Sequence, residues 1–243
     1  MFTDATDLSV RRGLPEVTTP KVQNLMWKTD ELGLATWSDA NATWQLDATG
    51  GPQGIQLGLA GTEPSRVQFC SVGKDVFPTA TEQFIRGDEL HVLFPQQEGS
   101  YSIEAVFKPL ASSEKRLVIE VILSLETRLL DTHPTVDLVA QGSSETAAAS
   151  DSASAVGCDP ISQATSDTTS VAVLLGPHDA PFTAKQSSGD ELRLRLFGEF
   201  LEKGVIRKAR PWIVLSTSDS DITSGELQDA YAKLCASPLP LTP

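Results

Sequence analysis

The chain has 243 residues, 40% of them hydrophobic and 21% charged, with a formal net charge of −13. That balance is the composition of a globular protein and excludes a disordered or fibrous one. The acidity argues against nucleic acid as a general partner, because phosphate binding needs clustered Lys and Arg.

Period-2 alternation dominates from residue 42 onward. ATWQLDA, GIQLGLA and SRVQFCSV read as the first strands, and FIRGDELHVLF as strand, Gly-Asp turn and strand. YSIEAVFKPL and RLVIEVILSL follow as a pair joined by a hairpin turn at ASSEK. The near-continuous branched apolar residues of RLVIEVILSL mark a central strand covered on both faces. ETRLLD and TVDLVA are further strand candidates.

Between Gln141 and Ser170 the pattern lapses. Of these 30 residues 18 are Ser, Thr or Ala, and none is Lys or Arg. So little apolar area does not offset the entropy of ordering, and the segment reads as a long polar loop or linker. It divides the chain into a first β half with its N-terminal extension, 1–140, and a second β half with a C-terminal helix, 171–243, expected to form one compact domain.

SVAVLLG, DELRLRLF and GVIRKARPWIVLS resume the strands. In DELRLRLF, Leu192, Leu194 and Leu196 share one face and Glu191, Arg193 and Arg195 the other, a strand with one wet side. Pairing of this strand with Gly204–Leu215 across FGEFLEKG would set Arg193 and Arg195 beside the VIRKAR segment. The last element is a helix: Thr223 and Glu226 fit a capping box, and Leu227, Ala230, Tyr231 and Leu234 line one face before the prolines of SPLPLTP end it. Short antiparallel strands punctuated by Gly, Pro, Asp and Ser, with one C-terminal α-helix, predict an all-β antiparallel β-sandwich.

One phrase recurs. FIRGDELHVLF (84–94) is echoed by SSGDELRLRLF (187–197), and VQFCSVGKD before the first matches VAVLLGPHD before the second, with Val67 against Val171 and Asp75 against Asp179. An internal repeat of one supersecondary unit predicts a sandwich of two related halves. A catalytic signature would repeat its reactive side chain, yet His91 in the first copy stands where Arg193 stands in the second.

Cys70, Cys158 and Cys235 are odd in number and far apart, with neither CxxC nor Cys/His spacing. They read as reduced thiols rather than disulfides or a zinc site, so no metal and no cofactor are expected. No apolar run approaches the ~20 residues of a membrane helix. The opening MFTDATDLSVRRGLPEV is broken by charges. A cytoplasmic protein without membrane contact is the expectation.

The candidate site residues fall in three groups. Between Lys185 and Arg210 seven Lys or Arg stand against four acids, and Arg193, Arg195, Arg207, Lys208 and Arg210 suit the forked recognition of a carboxylate, sulfate or phosphate. Trp37 and Trp44, with Trp27 nearby, offer indole faces for sugars if exposed and core volume if not. His91, His133 and His178 are the only histidines; beside a carboxylate, each suits acid–base chemistry. HExxH, GxSxG, P-loop and GxGxxG patterns are missing.

The composite expectation is an acidic, non-enzymatic binding or interaction protein, with a glycan or an acidic small molecule as ligand or another protein as partner. The alternative is a carbohydrate-active enzyme using a His/carboxylate pair, whose large β-sandwich would be similar to the galactose mutarotase architecture, without any shared motif to carry residues across.

Overall fold

The computed structural model describes residues 27–38, 43–60, 66–145, 157–167, 169–217 and 222–239. Seventeen strands run in chain order: β1 (Trp27–Thr29), β2 (Leu34–Ser38), β3 (Thr43–Asp47), β4 (Ile55–Leu59), β5 (Arg66–Ser71), β6 (Glu82–Arg86), β7 (Glu89–Phe94), β8 (Ser102–Ser113), β9 (Arg116–Glu126), β10 (Thr135–Gln141), β11 (Ser143–Glu145), β12 (Ile161–Thr165), β13 (Thr169–Leu174), β14 (Ala184–Lys185), β15 (Glu191–Phe197), β16 (Ile206–Ala209) and β17 (Trp212–Thr217). One helix, α1 (Ser224–Ala236), closes the described chain.

The strands make two antiparallel sheets. The first has the order β1-β2-β3-β4-β5-β10-β15-β14, and the second β11-β12-β13-β17-β9-β8-β7-β6, with β16 also on β9. Each sheet draws strands from both sides of residues 141–170, so the two segments interleave in one sandwich.

Alternation dictates the packing. In β15 the leucines at 192, 194 and 196 are buried while Glu191, Arg193 and Arg195 are half-exposed; β7 and β9 repeat the pattern. The inward residues of both sheets merge into one core that includes Trp44, Phe69, Phe94, Phe107, Ile119 and Leu194. Each such large side chain contributes about 1.5–3 kcal/mol on burial. A second, smaller core forms where α1 lays Leu227 and Leu234 over Ala172, Leu174, Trp212 and Val214 on the outer face of the second sheet. This cover explains why all six residues of β13 are buried.

The helix begins as its sequence dictates. The Thr223 hydroxyl accepts from the Glu226 backbone N–H, and the Glu226 carboxylate accepts from the Thr223 backbone N–H.

Several elements depart from the sequence expectation. Residues 141–170 are not loop throughout, because β11 and β12 form an edge of the second sheet. β12 buries only Ser162 and Ala164, small side chains that carry almost no hydrophobic signal; residues 146–156 lie outside the described chain. ETRLLD is not a strand beyond Glu126: it bends, and Asp131 takes a left-handed φ of 52°. β9 is wholly buried on one face and only half-buried on the other.

β15 does not pair with the VIRKAR segment. It pairs with β10 and β14 in the first sheet, whereas β16 and β17 pair with β9 in the second. The connection between them crosses from sheet to sheet along residues 127–134, through backbone bonds from Gly198 to Pro134, Leu201 to Thr132 and Gly204 to Thr127.

The echoing segments share a turn but not a sequel, since β7 pairs with the next strand, β8, whereas β15 is followed by β16 in the other sheet. Each has a Gly-Asp turn in which glycine takes positive φ, 66° at Gly87 and 52° at Gly189. The first turn leads from β6, the end of the second sheet, into β7, and the second leads into β15 beside β14, the end of the first sheet.

Candidate functional site

No helix of the described residues covers the outer face of the first sheet, and its strand register sets the groups there in rows. One row runs Asp47, Gln56, Gln68, Val139 and Arg193, and the next runs Lys28, Thr36, Gln45, Gly58 and Arg66. Because Gly58 has no side chain, a hollow opens between Thr36, Gln45 and the strand backbone. The resulting cleft has a volume of about 370 Å³, and the turn after β1 walls it with Asp30 and Glu31. Its polar lining is hydroxyl, amide and carboxylate (Thr36, Gln45, Gln56, Asp30, Glu31, Asp47), and no Lys or Arg lines it.

Its walls are held by local bonds. The Asp47 carboxylate accepts from the Thr49 backbone N–H (3.0 Å) and hydroxyl (2.7 Å). Gln56 donates to the Gln53 side chain (2.9 Å), and Gln68 donates to the Gln53 carbonyl (2.8 Å). Gln83, reaching across from the second sheet, accepts from the Gly33 N–H at 2.6 Å and pins the turn.

Beyond the cleft, the same face carries Asp137, Arg193 and Arg195. Arg195 grips Asp137 with both arms of its fork, Nε to Oδ1 at 2.9 Å and Nη2 to Oδ2 at 3.1 Å. Arg193 donates to Asp137 Oδ2 (2.8 Å) and to Glu191 Oε1 (2.8 Å). The Asp137 residue is 1% exposed although it faces outward, because the two arginine stems cover it. Burial alone would raise its carboxyl pKa, but the hydrogen bonds from Arg195 and Arg193 outweigh burial and hold it below the ordinary value. Sequence reasoning missed Asp137; the signal was a lone acid inside the apolar strand TVDLVA.

The other cationic candidates disperse. Arg210 is 7% exposed. Its guanidinium donates to the carbonyls of Pro238 (2.6 Å) and Leu234 (3.4 Å), and Nη1 lies 3.7 Å from Glu120. It therefore ties the end of α1 to the second sheet. The Trp212 indole also donates to Glu120, at 2.9 Å. Arg207 is ion-paired with Glu199. Lys208 stands opposite Ser124 on the outer face of the second sheet.

Trp37 and Trp44 are 4% and 1% exposed and lie in the main core, so neither presents an indole face to solvent. The Trp27 ring packs edge-on against Trp37 and donates to the Asp88 carbonyl at 3.1 Å.

The three histidines have different surroundings. His91 on β7 stacks on Phe84 with ring centroids 4.7 Å apart, its Nδ1 3.3 Å from Glu104 and its Nε2 3.5 Å from Glu89. It lies on an open sheet face and lines none of the described cavities. His178 does line one, a hollow of about 160 Å³ shared with Asp179, Arg207 and the left-handed Phe197, φ 62°. Burial raises the Asp179 carboxyl, which accepts from the Arg210 backbone N–H at 3.3 Å. No hydrogen bond joins His178 to Asp179 among the described residues. His133 meets the edge of Phe200 at 5.9 Å.

A His hydrogen-bonded to a carboxylate and a concavity thus occur in this fold, but at different histidines. Among the described residues no three His, Cys, Asp or Glu side chains gather as a metal site. Among the same residues no helix is long and apolar enough to cross a membrane. No protein-family model and no curated protein matches the chain.

Proposed function

We propose that the protein is a non-enzymatic binding protein and that its ligand is a neutral glycan held on the outer face of the first sheet. The observation that carries this reading is the cleft over Gly58, where hydroxyl, amide and carboxylate groups from three adjacent strands and one pinned turn converge and where, among the described residues, three acids and no Lys or Arg line the hollow. Sugar hydroxyls both donate and accept, so they suit a lining of mixed amides and carboxylates. Ligand sites of this kind are largely preformed, and residues on paired strands hold their geometry better than residues on loops.

The same lining disfavours an anionic ligand. Asp30, Glu31 and Asp47 repel it, and the nearest guanidinium pair is bound to Asp137 and Glu191.

The test is calorimetric titration with panels of neutral oligosaccharides, uronates and phosphates on the wild type and on Gln45→Ala. The reading expects saturable binding of a neutral glycan, weakened about tenfold in Gln45→Ala by loss of a ligand hydrogen bond of roughly 1–1.5 kcal/mol. Binding of anions alone, or glycan binding indifferent to Gln45, would overturn it.

A further inference from the structure

We infer that the β6 edge is a self-complementary surface and that two copies of this chain join through it, β6 against β6 in antiparallel fashion about a twofold axis at Phe84. The inference starts from the sheet ends. Among the described residues the terminal strands β1, β11 and β14 have three, three and two residues, whereas β6 has five and pairs on one side only, with β7. Natural edges are usually guarded by Pro, Lys, a bulge or extreme shortness. The β6 sequence EQFIR has no Pro, Lys or bulge; its only charges are the opposite pair Glu82 and Arg86 at its ends, and between them it exposes Phe84 (40%) and Ile85 (39%).

The edge is also preorganised. Gln83 spans to the β1–β2 turn through the Gly33 N–H, and Trp27 bonds the Asp88 carbonyl beside the hairpin. No ordering of the strand is needed before a second strand adds to it, which favours addition.

Charge settles which partner fits. Glu82, Phe84 and Arg86 share the outer face of β6, because their partners Leu93, His91 and Glu89 share that face of β7. Reversing the strand against itself about Phe84 sets Glu82 opposite the second copy's Arg86, Arg86 opposite its Glu82, and Phe84 opposite its Phe84. The Phe84 ring already lies flat on His91, so the junction continues as a His–Phe–Phe–His aromatic row flanked by two ion pairs. Opposite members of an antiparallel pair lie ~5 Å apart, close enough for each of these contacts. A twofold contact of this kind is isologous and closed, so it stops at a dimer.

Sedimentation equilibrium across a roughly hundredfold range of concentration reads the association directly. The wild type is expected to show a reversible monomer–dimer equilibrium. Glu82→Arg or Arg86→Glu alone places like charges opposite one another twice and should raise the midpoint concentration by tenfold or more. The double variant E82R/R86E should dimerise like the wild type, and so should an equal mixture of the two single variants, in which the pairs are restored across chains. Far-UV circular dichroism confirms that each variant folds. A monomer at every concentration, or a dimer unaffected by the single reversals, would overturn the proposal.

Discussion

The outer faces of the two sheets are built from the same alternating strands and end in opposite states. On the second sheet, α1 covers Ala172, Leu174, Trp212 and Val214, and the buried Arg210 fastens the helix end to the strands. On the first sheet, no helix of the described chain covers the outer face, and its one fully buried charge, Asp137, is shielded by the stems of Arg193 and Arg195. Period-2 alternation fixes which residues face outward; what lies above them decides whether the face is core or site. Among the described residues the first face keeps a hollow of about 370 Å³, whereas the second is filled by the helix.

The largest effect should come from unfastening the cover. Arg210→Ala strips the α1 carbonyls of their buried donor and takes one of the cations from beside Glu120, which keeps the Trp212 N–H and the neighbouring Lys108; a loss of about 3 kcal/mol is expected, read as a fall in denaturation midpoint. Far-UV circular dichroism should show the helical signal lost first.

Asp137→Ala should cost less, about 2 kcal/mol, because the two arginines it abandons are partly solvated. Since the native Asp137 carboxyl lies below its unfolded value, its stabilisation is present above about pH 4 and lost as pH falls through the lower native value. The variant should therefore show a flatter acid limb in a stability-versus-pH series.

Thr223→Ala removes the hydroxyl half of the capping box and should cost about 1 kcal/mol, with the first sheet untouched. Acid acts on the same cap. The bond from the Thr223 backbone, with Arg116 and the Thr223 hydroxyl, holds Glu226 at about 2, so the cap persists as pH falls through 4 and fails only near that lower value. Circular dichroism of the helix as a function of pH measures this directly.

Strand faces and the hairpin of β8 with β9 were legible in the sequence; partners distant along the chain were not. DELRLRLF shows which side of β15 is wet, but alternation carries no address, and the partner is TVDLVA rather than VIRKAR. The α1 stripe and its capping box were legible because both are local patterns with one physical meaning. β12 escaped notice because ISQAT buries a serine and an alanine, too small to register as a core face.

The cationic stretch misled for a geometric reason. β16 and β17 both pair with β9 but are interrupted at Arg210 and Pro211, where the Pro211 carbonyl accepts from Val121, so Arg210 turns to the end of α1 while Arg207 and Lys208 stay at the hollow beside His178. The tryptophans at 37 and 44 could be read as platform or core from composition, and burial decides for core. The cleft itself was invisible because its defining feature is a missing side chain at Gly58, whose neighbours Thr36 and Gln45 come together only through strand register.

The most direct measurement is backbone-amide NMR of the isotopically labelled protein during titration with a mixture of neutral oligosaccharides. The account predicts saturable shift changes that cluster at Thr36, Gln45, Gln56 and Gly58 and leave the amides of α1 and β13 unmoved. Changes centred on the second sheet, or no saturable change with any neutral glycan, would contradict it.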